Sequence, residues 1–165
     1  MLAIAQVGEE VLTLVARAVT DFSPELRGIV EEMLLSMEQA EGVGIAAPQI
    51  HLSLALFIMA SRPTQRYPEA PYIAPTVIIN PEILEYSPES EAGEEGCLSI
   101  PERRLSITRH RWVQVKYQDL DGQWHNQRLS GFIARIFQHE YDHLQGITLF
   151  ERAAMQEQGR DEASQ

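Results

Sequence analysis

The sequence predicts an α+β fold, with short antiparallel strands around a central helix near the end of the chain. Three observations carry this expectation. Apolar residues recur at helical spacing in one early and one late segment. Several short strand-like runs and turn signals lie between the two, without strict strand–helix alternation. The chain has 165 residues, against a prior of about 150 residues per domain. A chain of that size buries roughly 68–70% of its unfolded surface and can fold on an ordinary core.

The first helix is expected over residues 21–40. Ser23 is placed to cap it, Pro24 stands at its first position, and Leu26, Ile29, Val30, Met33, Leu34 and Met37 recur on one face. Gly42 is placed to stop it. Residues 54–60 read as a buried strand, and 61–75, with prolines at 63, 68, 71 and 75, as an extended surface loop. A short strand over 77–79 is expected to end at Asn80-Pro81. Further strands are expected over 105–108, 112–117 and 124–129, the last two joined at an Asp121-Gly122 turn. Ser130 is placed to cap a second helix over 131–144, which Gly146 ends. A single domain over 1–150 and a polar, frayed or weakly helical tail over 151–165 complete the expectation.

Composition narrows the function. Hydrophobic residues are 44% and charged residues 22%, and Gly plus Pro (10 and 9 residues) is near background, which excludes a collagen-like or low-complexity chain. The longest apolar run, 54–60, is far short of the 18 or so residues a membrane span needs. The opening MLAIAQVGEEVL has no basic stretch and meets Glu9 and Glu10 early, unlike a secretory signal. The net charge of −11 speaks against broad nucleic-acid binding. Cys97 is the only cysteine, so no internal disulfide forms, and a reducing, cytoplasmic setting is expected.

Three segments bear on chemistry. In QHEYDH (138–143), His139 and His143 are four apart, hence on one helical face, and Glu140 is placed to reach a metal-bound water. The same pattern also describes two ordinary exposed histidines. A catalytic metal site needs a third protein ligand. Only 22 residues follow His143 and none is His, so Cys97 in EGCLS (95–99) is the better donor. A lone Cys is as often a small buried hydrophobe, although Gly96 beside it permits close backbone approach. In GVGIAAPQ (42–49), two glycines suit a loop whose backbone touches a ligand, yet the spacing is not that of a phosphate loop. Taken alone, this segment equally describes a helix end running into a strand, with Gln49 a satisfied polar group.

Together, intact and in order, the three segments resemble the GxGxAAxQ, EGCLS and QHExDH signatures of the peptide deformylase family. The resemblance spans the chain from the first helix to about Phe150. It implies hydrolysis of the N-formyl group from the initiator formylmethionine of new polypeptides, releasing formate, with peptides or nascent chains as substrates. It implies one divalent metal on Cys97, His139 and His143 with a water completing the site: Fe(2+) in the cell, with Ni(2+), Co(2+) or Zn(2+) possible in purified protein. It further implies Glu140 as the proton carrier and the Gln49 amide with the Leu98 backbone N–H as donors to the developing oxyanion. Val43 and Gly44 would meet the peptide backbone, with Gly96 close by, and Phe132 and Ile136 would line the methionine pocket. Arg135, where many relatives carry an apolar residue, stands at the pocket rim or on a solvated helix face. Arg104 would brace Glu95 or Glu94 as an ion pair behind the metal ligands.

Three features depart from the family, one being that the proline-rich loop over 61–75 is longer than in compact relatives. Residues 8–13 lack the usual proline and arginine of the N-terminal strand edge, which is still expected to form. The tail also lacks the long basic helix linked to ribosome docking, so docking through it is not expected. Two other readings compete: an HExxH peptidase, which would need a downstream third ligand, and a binding module that has lost its catalytic groups. A structural zinc site would want four protein ligands.

Overall fold

A strand that is apolar on both faces has to be covered on both sides, and that requirement sets the layering here. The structure, a computed structural model, describes residues 3–65 and 67–163. Its elements run α1 (Pro24–Gln39), β1 (Gly44–Ala46), β2 (Leu56–Ser61), β3 (Ile73–Tyr86), β4 (Ser90–Cys97), β5 (Ile100–His110), β6 (Trp112–Gln118), β7 (Trp124–Ser130), α2 (Gly131–Leu144) and α3 (Leu149–Ala163). Strands β1, β2, β3, β6 and β7 form an antiparallel five-stranded sheet in that order, and β4 pairs with β5 in a separate ribbon.

Strand β2 is the centre of the core. Leu56 and Ile58 join Val30, Met33 and Met37 of α1, whereas Phe57 and Met59 join Ala134 and Phe137 of α2. Successive strand residues face opposite sides, so α1 and α2 cover opposite faces of the sheet and the unbroken apolar run of β2 is accounted for. The Phe137 ring meets Phe57 edge-on at 5.1 Å. Burying each such side chain is worth about 1.5–3 kcal/mol. Helix α2 is thus held between the sheet on its apolar side and the β4–β5 ribbon on its polar side.

Helices α1 and α2 and strands β2, β6 and β7 lie where the sequence puts them. The expected break at Asn80-Pro81 does not end β3. Asn80 adopts the left-handed conformation (φ 51°), its side chain bonds Val19 N, Val19 O and Gln118 Oε1, each at 2.8 Å, and pairing resumes at Glu82 after a register shift. Pro81 falls at that irregularity, where no ladder donor is required. The N-terminal edge is a 3-10 turn, Glu10–Thr13, with one bridge from Arg17 to Leu54, rather than a strand. Ser23 and Ser130 occupy the N-cap positions without a side-chain capping bond.

The expected tail is helix α3, so its boundary at 150 falls inside a helix. Arg152 forks onto Asp142 at 3.0 and 2.7 Å, and Gln156 bonds both backbone groups of Thr108 at 3.0 and 2.8 Å. These polar fastenings leave little apolar stripe in the sequence, which is why the helix reads as a tail. Helix α2 ends as expected at Gly146 (φ 76°), with Gly146 N and Ile147 N bonding the carbonyls of His143 and Asp142. Helix α1 closes in the same way, but the left-handed residue is Glu41 (φ 56°), one before Gly42. A side chain in that conformation costs roughly 1–2 kcal/mol, part of which Gly returns as chain entropy. Glu41→Gly should therefore raise stability by about 0.5–1 kcal/mol in urea unfolding. No gain would mean that Glu41 is not strained.

Candidate active site

Helical spacing sets half of the site. His139 and His143 stand one turn apart on α2 with ring centroids 5.3 Å apart. Cys97 arrives from another element, the last residue of β4, and its Sγ lies 3.4 Å from His143 Nε2. One ligand atom from each of Cys97, His139 and His143 falls within 4.8 Å of the others. His139 Nδ1 is engaged by Glu95 Oε1 at 2.9 Å, which leaves Nε2 for the site.

Two further groups face this cluster. Gln49 is buried in a 3-10 turn, Ala47–Ile50, directly after β1. Its Oε1 accepts from Ala46 N at 2.9 Å, and its Nε2 donates to Ser99 Oγ at 3.1 Å and approaches Cys97 Sγ at 3.6 Å. A backbone N–H can only donate, so the amide oxygen is turned to Ala46 and the NH2 to the site. Glu140 is buried, with Oε2 3.9 Å from His139 Nε2 and Oε1 without a protein partner among the described residues. Its carboxylate lies against the Gly44 backbone, where a Cβ would sit 2.5 Å from Oε2.

The charges here are mutually dependent. Burial opposes ionisation of Cys97, but His143 and His139 beside it outweigh burial and hold the thiol well below its usual pKa. Burial likewise opposes charging of His139, yet Glu140, Cys97 and Glu95 raise its pKa well above the ordinary imidazole value. Glu140 is raised, by burial first and by Cys97 and Glu95, against the pull of the two histidines. One readily ionised thiol and two imidazoles, with an orphaned carboxylate oxygen adjacent, suit a divalent transition metal. Such an ion would replace the imidazole proton.

The other residues of interest distribute as follows. Leu98 is in the turn between β4 and β5, and Gly96 pairs with Arg104 across the ribbon. The Val43 carbonyl accepts from Ala60 N at 2.7 Å beside β1, an edge strand. Phe132 packs at the border of the core and meets the Tyr67 ring at 4.8 Å, while Ile136 is buried in the core itself. Tyr67 thus brings the proline-rich loop to this wall, a contact that no sequence pattern announces. Arg104 lies on the Glu94 side: its Nε is 3.7 Å from Glu94 Oε2, and its Nη2 donates to the Glu94 carbonyl and the Tyr67 hydroxyl. It does not brace Glu95.

Arg104 thus takes Glu94, one of its two expected partners, and Glu95 is held by Arg109, which sequence reasoning missed. Arg109 forks onto Glu95 at 2.9 and 3.0 Å and reaches Asp142 at 2.6 Å. Arg109 and Glu95 are both 5% exposed. Burial opposes ionisation of Glu95, but its bonds from His139 and Arg109 outweigh burial and hold its pKa well below the usual carboxylate range. The available signal was parity, because Leu105, Ile107 and Arg109 share one face of β5. Arg135 turns to the same carboxylate, with Nη1 2.6 Å from Glu95 Oε2. Replacing Arg109 removes three charged donor bonds from two buried carboxylates, so Arg109→Met should cost about 3–5 kcal/mol of stability in urea unfolding. A loss below about 1 kcal/mol would mean the network is not buried in solution.

Comparison with known proteins agrees with this geometry. Residues 1–159 match the family model for polypeptide deformylase. The chain is 57% identical over 157 residues to peptide deformylase 2 of Shewanella oneidensis, across 95% of this chain and 87% of that protein. It is 41% identical over 145 residues to the peptide deformylase of Thermotoga maritima, across 88% and 82% of the two. A crystal structure of the class I type b peptide deformylase from Acinetobacter baumannii with Met-Ala-Ser bound superposes with a TM-score of 0.89 at 46% identity, over 92% of this chain and 97% of that one. A match of this extent, on a fold that gathers a thiol and two imidazoles, shows that the chain belongs to the polypeptide deformylase family, metal-dependent hydrolases that remove the formyl group from N-terminal formylmethionine.

Proposed function

We propose that this chain performs deformylation with Cys97, His139 and His143 as ligands of one iron(II) ion, Glu140 as proton carrier, and Gln49 with the Leu98 N–H as oxyanion donors. One observation supports this above the rest: donors from two different elements converge within 4.8 Å, beside a buried carboxylate oxygen that has no protein partner. Thiolate and imidazole suit iron, cobalt, nickel and zinc alike. Iron(II) is preferred here from the family resemblance.

When bound, the ion acidifies a water molecule and polarises the formyl carbonyl. The residues of the chain do the rest. Glu140 accepts a proton on its free oxygen and returns it to the leaving methionyl amine. Its raised pKa suits a group that must both take and give a proton. Gln49 Nε2, turned to the site by the Ala46 N–H, donates to the carbonyl oxygen as negative charge grows. Fixing that dipole in advance avoids reorganisation during the reaction.

The peptide adds to the free edge beside β1, with Val43 and Gly44 supplying backbone bonds and Gly96 leaving room on the ribbon side. Phe132, with Val43 and the flank of Ile136, receives the unbranched methionine side chain. Met-Ala-Ser, bound in the Acinetobacter baumannii relative, is a product of the kind this groove would release. A formyl hydrogen needs no space beside the ion and oxyanion donors, whereas an acetyl methyl does. The reading places the enzyme in the cytoplasm, acting on formylated nascent chains. Among the described residues no helix is long and apolar enough to cross a membrane. No lysine follows Lys116, which weighs against docking on the ribosome through α3.

The test is formate release from formyl-Met-Ala-Ser by protein purified without oxygen and loaded with iron(II), nickel or zinc. Fast release is expected, with the acetyl peptide inert; no formate from metal-loaded protein would overturn the reading. Glu140→Gln should keep its metal and lose about 10²–10⁴-fold in turnover; loss of metal instead would make Glu140 a ligand. Gln49→Ala should cost about 10²–10³ in kcat with metal retained, and an unchanged kcat would remove Gln49 from the oxyanion site.

A further inference from the structure

The three metal-binding side chains come from two elements. The interval between His139 and His143 is set inside α2 by helical spacing. The interval between that pair and Cys97 depends on how the β4–β5 ribbon sits on α2. Glu95, two residues before Cys97 on the same face of β4, is the contact that sets it.

Glu95 receives four strong donors. Arg109 supplies two, at 2.9 and 3.0 Å, but it belongs to the same ribbon, and this fork does not tie the ribbon to α2. The other two come from α2: His139 Nδ1 to Oε1 at 2.9 Å and Arg135 Nη1 to Oε2 at 2.6 Å. Arg135 and His139 are one helical turn apart and grip one carboxylate through its two oxygens. Arg135 also donates to the Ile107 carbonyl at 3.0 Å and the Glu91 carbonyl at 2.8 Å, so it holds both ribbon strands. Its side chain is 12% exposed, and the donors engaged in these bonds are directed into the ribbon.

Gly93 makes this possible. A Cβ there would lie 2.9 to 3.2 Å from the Arg135 guanidinium. Glycine lets the guanidinium lie against the ribbon between Glu91 and Glu95.

We infer that Arg135 is a positioning residue of the metal centre: with Gly93 as its seat, it fixes Glu95 against α2 and so sets the separation of Cys97 from His139 and His143. This rests on the ligand assignment above, and it gives Arg135 a role other than contact with substrate. Without Arg135, His139 would be the only α2 residue bonded to Glu95, so the imidazole would have both to bind the ion and to hold that carboxylate, the ribbon's remaining ties to α2 including Arg109 to Asp142 and Gln138 to the His110 backbone.

The test uses cobalt(II)-loaded protein prepared without oxygen, read by its thiolate-to-cobalt absorption band and by the rate of cobalt loss to a chelator. Arg135→Leu should shift the band and release cobalt about tenfold faster, at the lower end of what outer-shell partners contribute. It should also lower kcat for formyl-Met-Ala-Ser with little change in KM. Arg135→Lys, which keeps one charge but cannot hold both strands, should recover part of the retention. Gly93→Ala should speed cobalt loss when Arg135 is present and add nothing in the Arg135→Leu background. If Arg135→Leu does not fold, the lysine and Gly93 variants carry the test. Wild-type retention and spectrum in Arg135→Leu, or a rise in KM alone, would overturn the inference. A wild-type protein with no thiolate-to-cobalt band would instead overturn the ligand assignment.

Discussion

A carboxylate taken out of water costs several kcal/mol unless its oxygens are matched by donors. Glu95 is 5% exposed and both of its oxygens are doubly engaged, by Arg109, Arg135 and His139. Satisfying that one group obliges the β4–β5 ribbon to sit on the polar face of α2, because only there do Arg135 and His139 come within reach. A two-stranded ribbon is marginal by itself, and the apolar cluster beneath this one is small, built on Ile100, Ile107 and Leu149. The ion network therefore does for the ribbon what apolar packing does for the large sheet. It also extends outward: Arg109 joins Glu95 to Asp142, and Arg152 of α3 holds Asp142 from the other side. His139 and the C-terminal helix belong to one chain of charges.

Helix α2 serves two partners with different chemistry. Phe137 and Ala134 lock it to the sheet, a dense contact that resists rotation. Its opposite face carries Arg135, His139 and His143 toward the ribbon. Around this rigid strut the other residues of the candidate site come from separate elements: Gln49 from the turn after β1, Cys97 and Leu98 from the ribbon end. These groups come together where the three meet, next to β1, an edge strand of the large sheet. Strand β1 is both an edge strand and the lead into the Gln49 turn.

Much of this was legible in the sequence. The full extent of α2, its two histidines and the doubly buried β2 follow from local periodicity. Strand β4 was not legible, because SEAGEEGC has no apolar alternation, and the residue it buries is a carboxylate, Glu95. Arg104 meets Glu94, one of the two partners expected for it, and Glu95 goes to Arg109 for a simple geometric reason. The two are five residues apart on one strand and so face opposite sides. Glu95 pairs across from Leu105, on the Arg109 side. Helix α3 reads only as a frayed or weakly helical tail because ion pairs and a glutamine fasten it rather than an apolar stripe.

By itself the sequence determined which side chains are present, which stand one helical turn apart, and hence the family whose signatures they match. Those are properties of bonded geometry over a few residues, the same wherever the segment lies. The tertiary structure decided which cation meets which anion, that Arg135 faces the ribbon instead of solvent, and that Cys97 completes the histidine pair. These depend on strand register and on the packing of one element against another. A one-residue slip in β5 would send Arg109 to the opposite face without changing any local pattern.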